Sequence, residues 1–87
     1  MNPPDPAVMK VRRVVAHRLK RERARRRLSQ EGLAERLGLT PNYVAHLERG
    51  TRGLSLRTLV RIAERLGQPL HDLLRPAPGP LQSPEPD

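Results

Sequence analysis

The sequence predicts an all-α fold, a compact bundle of five helices without strands, and three observations carry the prediction. Side chains that cap helix starts stand at Ser29, Thr40 and Ser55. Glycines follow the last apolar residue of a helix at Gly38, Gly50 and Gly67. Between these marks the apolar residues recur at helical spacing rather than in alternation.

The first helix is expected from Met9 to Arg26, with Val11, Val15 and Leu19 on its buried face and arginines elsewhere. The second runs from Gln30 to Leu37, opened by Ser29, and turns Leu33, Ala34 and Leu37 inward. The third runs from Pro41 to Arg49 behind Thr40. Pro41 suits its first position, where the missing N–H has no helical partner. Val44 and Leu47 face the core, whereas Asn42, Ala45, His46 and Arg49 face solvent, and Asn42, His46 and Arg49 align at i, i+4 and i+7. A loop from Gly50 to Leu54 offers Thr51 and Arg52 to an anion. The fourth helix starts after Ser55, with Leu56, Leu59, Ala63 and Leu66 as its apolar stripe, and Gly67 ends it. Pro69 opens a short fifth helix whose Leu70, Leu73 and Leu74 either close the core or supply a dimer face. Residues 1–8 are expected to be a flexible Pro-rich leader, residues 9–75 the folded domain, and residues 76–87, PAPGPLQSPEPD, a disordered tail.

Eighty-seven residues allow one small domain, and with Tyr43 as the only aromatic its core is aliphatic. The net charge of +8 is uneven, since Lys10 to Arg27 holds ten Lys or Arg residues against the single acid Glu22. Nucleic acid is the polyanion that suits such a patch, because each neutralised phosphate releases counterions. Basic helices also bind acidic proteins, aid solubility or lie on anionic membranes, but the first helix lacks the bulky apolar face that membrane binding needs. There is no cysteine, no run of membrane-spanning length, and no basic-then-apolar start of a secretion signal, so a cytoplasmic protein is expected. His17, His46 and His71 show no metal-ligand spacing. Ser29 and Ser55 are explained as caps, no phosphate-cradling glycine loop occurs, and neither an enzyme nor a cofactor is expected.

Residues 28–50, LSQEGLAERLGLTPNYVAHLERG, thus form two short helices joined by a tight turn, the outline of a DNA-reading helix-turn-helix. Together with SLRTLVRIAERLG and LHDLL, the stretch from about Arg18 to Leu74 resembles the phage repressor and Cro-like helix-turn-helix family, also called the XRE family. The resemblance implies a five-helix bundle of the lambda-repressor-like type, its third helix in the major groove and its second across the phosphate backbone. By the same resemblance Gln30 sits at a phosphate and against the third helix. Thr40, Pro41, Asn42 and His46 match positions that face base edges or the adjoining backbone, and an Asn42 amide suits a bidentate contact to adenine. Tyr43 is placed to reach a phosphate or a thymine methyl, and Arg49, Thr51 and Arg52 match phosphate contacts. Arg23 and Glu48 match an ion pair between the first and third helices.

The sequence departs from that family at three places. Gly32 stands where relatives often carry an acid, which breaks the reciprocal capping box with Ser29 and puts an interior glycine, costing about 1 kcal/mol, into the second helix. Arg27 stands where a glycine commonly ends the first helix, so that end is either different or strained. Pro41 has no side-chain hydrogen bond to give, so it reads a base only by apolar contact. The expected function is a sequence-specific transcriptional regulator of double-stranded DNA, a repressor acting as a homodimer. Two other readings stay open. One is a protein-interaction module, such as an antitoxin component gripping a partner protein, with DNA binding secondary; the other is a structural or RNA-binding role for the basic first helix.

Overall fold

The computed structural model describes residues 5–51 and 53–76. Within them run α1 (Pro6–Arg25), α2 (Gln30–Leu37), α3 (Pro41–Arg49), α4 (Leu56–Leu66) and α5 (Leu70–Leu73), with no strand among the described residues. The caps act as the sequence implies. Ser29 Oγ accepts the Gly32 N–H at 3.0 Å, Thr40 Oγ1 the Tyr43 N–H at 3.1 Å, and Ser55 Oγ the Thr58 N–H at 3.1 Å. Gly38 and Gly50 close α2 and α3 with φ of 72° and 69°, a left-handed conformation that glycine enters without a Cβ clash.

α1 begins three residues before the expected Met9. Asp5 Oδ1 accepts the Ala7 N–H at 2.8 Å and Pro6 fills the first helical position, the arrangement also found at Thr40 and Pro41. At its other end α1 stops at Arg25, and Arg27 takes φ 56°. The Leu28 N–H bonds the Arg23 carbonyl at 3.0 Å and the Arg27 N–H bonds the Ala24 carbonyl at 3.1 Å, the paired bonds of a Schellman motif. Leu28 then turns onto the core. Of the two outcomes open for Arg27, the strained one holds: a non-glycine residue occupies the left-handed cap.

The core joins Val15 and Leu19 of α1, Leu33, Ala34 and Leu37 of α2, Val44 and Leu47 of α3, Ile62, Ala63 and Leu66 of α4, and Leu73 of α5. α3 lies between α1 and α2, while α4 packs on α2 and α5, and α5 returns to α1. Three expected core positions lie elsewhere. Val11 is 42% exposed, because burial on α1 starts only at Val15 and the preceding turns carry no core residue. Leu56 is 68% exposed: the buried stripe of α4 runs through Leu59, Ile62, Ala63 and Leu66, and Ile62, not Leu56, completes it. Of the α5 leucines, Leu73 is fully buried and Leu70 half-buried, but Leu74 is 41% exposed.

A polar hub at the end of α1 ties the bundle together. Glu22 accepts from Arg25 Nη2 at 2.8 Å, Arg26 Nε at 3.1 Å and Gln68 Nε2 at 2.6 Å, and Arg26 Nη2 reaches the Leu66 carbonyl at 3.0 Å. The lone acid of the basic stretch therefore holds the end of α1 to the α4–α5 turn. Burial by itself would raise the Glu22 carboxyl, but the bonds from Arg25, Gln68 and Arg26 outweigh it and bring the carboxyl below its ordinary range. No helix among the described residues is long and apolar enough to cross a membrane. The expected tail beyond Pro76 and the first four residues of the leader lie outside the described residues, as does Arg52.

Candidate nucleic-acid interface

α3 is short, capped at both ends, and divided by its own periodicity. Val44 and Leu47 are buried and Tyr43 is half-buried against the core, which leaves Thr40, Pro41, Asn42 and Arg49 exposed, with Ala45 and His46 at the border. The exposed side chains fall along one ridge. No carboxylate interrupts it, because Glu48, the only acid of α3, is turned inward and 4% exposed.

A carboxylate so deep needs charge-matched partners. Arg23 of α1 supplies a two-pronged grip, Nε to Oε2 at 2.7 Å and Nη2 to Oε1 at 3.1 Å. Its remaining prong, Nη1, donates to the Leu28 carbonyl at 3.2 Å. Gln30, at the first turn of α2, donates from Nε2 to Glu48 Oε1 at 3.0 Å. Three helices therefore converge on one carboxylate, and the bond from Glu48 raises the Arg23 guanidinium above its ordinary value. Gln30 is oriented by this bond with a second amide N–H still to give, the only part of its side chain that can approach an anion favourably.

At the far end of α3, His46 Nδ1 lies 3.1 Å from Thr51 Oγ1 and 3.4 Å from Arg49 Nη2, and the Thr51 hydroxyl donates to the His46 carbonyl at 3.2 Å. His46, Arg49 and Thr51 thus form one local cluster where the helix passes into the loop. The Tyr43 hydroxyl donates to the Gly53 carbonyl at 3.5 Å, and Gly38, Leu39, Thr40, Tyr43 and Gly53 line an open groove beside the helix-turn-helix. Arg61 Nη1 donates to the Gly38 carbonyl at 3.3 Å, a cation at the carbonyl end of α2, where the helix dipole favours it. Arg12, which sequence reasoning passed over, reaches the same loop from α1: its guanidinium lies 3.2 Å from where a Cβ on Gly53 would stand. Only the packing of α1 brings the two together, so no local signal marks the residue.

Two short helices set at a glycine turn, the second braced from behind and bare of acids in front, make a helix-turn-helix domain. Residues 19–73 match the helix-turn-helix family model, and the chain belongs to that family. It is 34% identical over 70 residues to control protein C.SmaI of Serratia marcescens, covering 80% of this chain and 83% of that protein. Among solved structures it is similar to the hypothetical transcription factor NHTF from Neisseria, with a TM-score of 0.71 and 31% identity over 87% of this chain and 85% of that one. It is also similar to the restriction-modification controller protein C.AhdI from Aeromonas hydrophila, with a TM-score of 0.66 and 34% identity over 75% of this chain and 94% of that one.

Proposed function

We propose that the chain is a sequence-specific DNA-binding transcriptional regulator, acting in the cytoplasm as a repressor, that reads the major groove with α3. The observation that carries this reading is the exposed, acid-free ridge of α3 held rigidly by the Arg23–Glu48 pair. Asn42 reads a base edge through its amide, with His46, Thr40 and Pro41 beside it, and Gln30, Arg49, Thr51, Tyr43 and Arg52 take the flanking phosphates. The likeness to proteins named as control or controller proteins supports a regulatory output. One nine-residue helix spans too few base pairs to single out a site, so two copies act together on an inverted repeat with half-sites about one helical turn apart. Occlusion of a promoter by that dimer is sufficient for repression.

The test is selection of binding sites from randomised duplex DNA, followed by affinity against salt for the selected and a scrambled duplex. An enriched inverted repeat that outcompetes scrambled DNA at about 150 mM salt is the expected result. Equal, steeply salt-dependent binding to both overturns the reading and directs attention to a protein partner.

A further inference from the structure

α1 begins thirteen residues before the family match does, since Pro6 to Arg18 precede residue 19. That extension holds Lys10, Arg12, Arg13 and Arg18 and no acid. It is anchored to the DNA-reading half of the molecule. The Arg12 carbonyl lies 3.9 Å from where a Cβ on Gly50 would stand, and Arg12 Nη2 lies 3.2 Å from the corresponding point at Gly53. A side chain at residue 53 would therefore press on the guanidinium. Arg12 and Arg23 are eleven residues apart, so α1 meets α3 and its following loop at two points separated by about 16 Å along its axis.

Arg12 is a cation with no counter-charge among the described residues. Among the described residues no carboxylate pairs with it, its Nη1 meets only the Met9 sulfur at 3.9 Å, and its buried Nε has no hydrogen-bond partner. Arg12 is half-buried, and its Nε is shielded from solvent with no acceptor to offset that, so an anion within reach of the guanidinium is favourable. The loop it touches directly follows the helix proposed to enter the groove, so the anion nearest at hand is a backbone phosphate of the same duplex.

We propose that Arg12 is a phosphate-binding residue that extends the DNA footprint outward from the α3 loop, supplied by the part of α1 that lies outside the family match. The inference rests on the reading that α3 faces DNA. Arg13 is the matched control. It has the same charge one position along, but it points to another face of α1, where it lines a shallow depression with Lys10, Val14, His17 and Pro76.

The experiment compares wild-type protein, Arg12→Gln, Arg13→Gln and Arg12→Lys on a selected and a scrambled duplex across a salt series, with a thermal melt for each variant. Arg12→Gln is expected to flatten the dependence of log K on log salt by about 0.9, one phosphate's worth, on both duplexes alike. Arg13→Gln is expected to leave the slope within error, and Arg12→Lys to restore it. Equal flattening by Arg12→Gln and Arg13→Gln overturns the proposal in favour of general charge. An unchanged slope in a folded Arg12→Gln overturns it in favour of simple packing, and a variant that melts early is replaced by ethylation interference compared between wild type and Arg12→Lys, where absence of a phosphate signal outward of those taken by Arg49 and Thr51 is equally fatal. A wild type that ignores sequence overturns the regulator reading alone, because the slope is still measured on any duplex.

Discussion

The guanidinium of Arg23 on α1 grips the carboxylate of Glu48 on α3 through two hydrogen bonds of 2.7 and 3.1 Å, and Glu48 has almost no contact with solvent. The pair ties α3 to α1 across the bundle. Arg23→Ala strands a buried carboxylate, and the expected cost is about 3 kcal/mol, the low end for a buried pair because Arg23 stays 28% exposed. Urea denaturation measures it. The double variant Arg23→Met with Glu48→Leu is expected to regain most of that stability while weakening DNA recognition, since Gln30 then loses the carboxylate that orients it and α3 is held by the packing of Val44 and Leu47 without the bidentate pair; a double variant as unstable as the single one contradicts this.

Arg27 carries a cost of backbone geometry rather than of contacts. At φ 56° an L-residue gives up about 1–2 kcal/mol, part of which glycine returns through its greater freedom in the unfolded chain. Arg27→Gly is therefore expected to stabilise the domain by about 0.5–1 kcal/mol, seen as a rise of a few degrees in Tm. Arg27→Val, β-branched at the same φ, is expected to lower it. A fall in Tm for the glycine variant means that the Arg27 side chain makes a larger contribution than its backbone takes away.

Stability is expected to fall in two stages on acidification. Burial, then the neighbouring Lys20, Arg21 and Arg18, hold His17 below its ordinary 6.5, so between these values the unfolded chain binds the proton more readily than the folded one. Stability present above 6.5 is thus lost as the pH falls through the folded value. Glu22 behaves likewise from its ordinary 4.5 downward, its bonds to Arg25, Gln68 and Arg26 being lost on protonation. Urea midpoints measured from pH 8 to pH 3 test both stages. His17→Gln removes the upper one and Glu22→Gln the lower; an unchanged profile in either variant assigns that stage to another group.

What was legible in the sequence follows the range of the interaction. Ser29, Thr40, Ser55 and the glycines after each helix act within four residues, so their signals sit side by side in the chain and fix α2, α3 and α4 closely. Asp5 and Pro6 send the same signal as Thr40 and Pro41, but it lies among further prolines whose composition points to a leader, and α1 starts three residues earlier than that composition suggests. Periodicity gave the exposed ridge of α3. It gave Leu56 and Val11 wrongly, because which stripe of a helix is buried depends on what neighbour lies beside each turn. The Glu22–Gln68 bond spans 46 residues and the approach of Arg12 to Gly53 spans 41, and no pattern in the sequence announces contacts of that reach.

Base reading and backbone anchoring on α3 separate by experiment. Asn42 is exposed in the first turn of the helix, and on the proposed reading its amide pairs with one base through two matched bonds. Asn42→Ala is expected to cost about 1–3 kcal/mol of discrimination at a single base pair of the selected site, leaving affinity for scrambled DNA nearly unchanged. Arg49, exposed at the last turn and within reach of His46 and the loop, is expected to behave in the opposite way. Arg49→Ala weakens every duplex alike and lowers the salt slope by about 1. Parallel binding-site selections with the two variants decide: relaxation at one position for Asn42→Ala and an unaltered preferred sequence for Arg49→Ala support α3 as the reading helix. A preferred sequence that survives Asn42→Ala intact removes Asn42 from base recognition and shifts the reading to His46 and the residues of the turn.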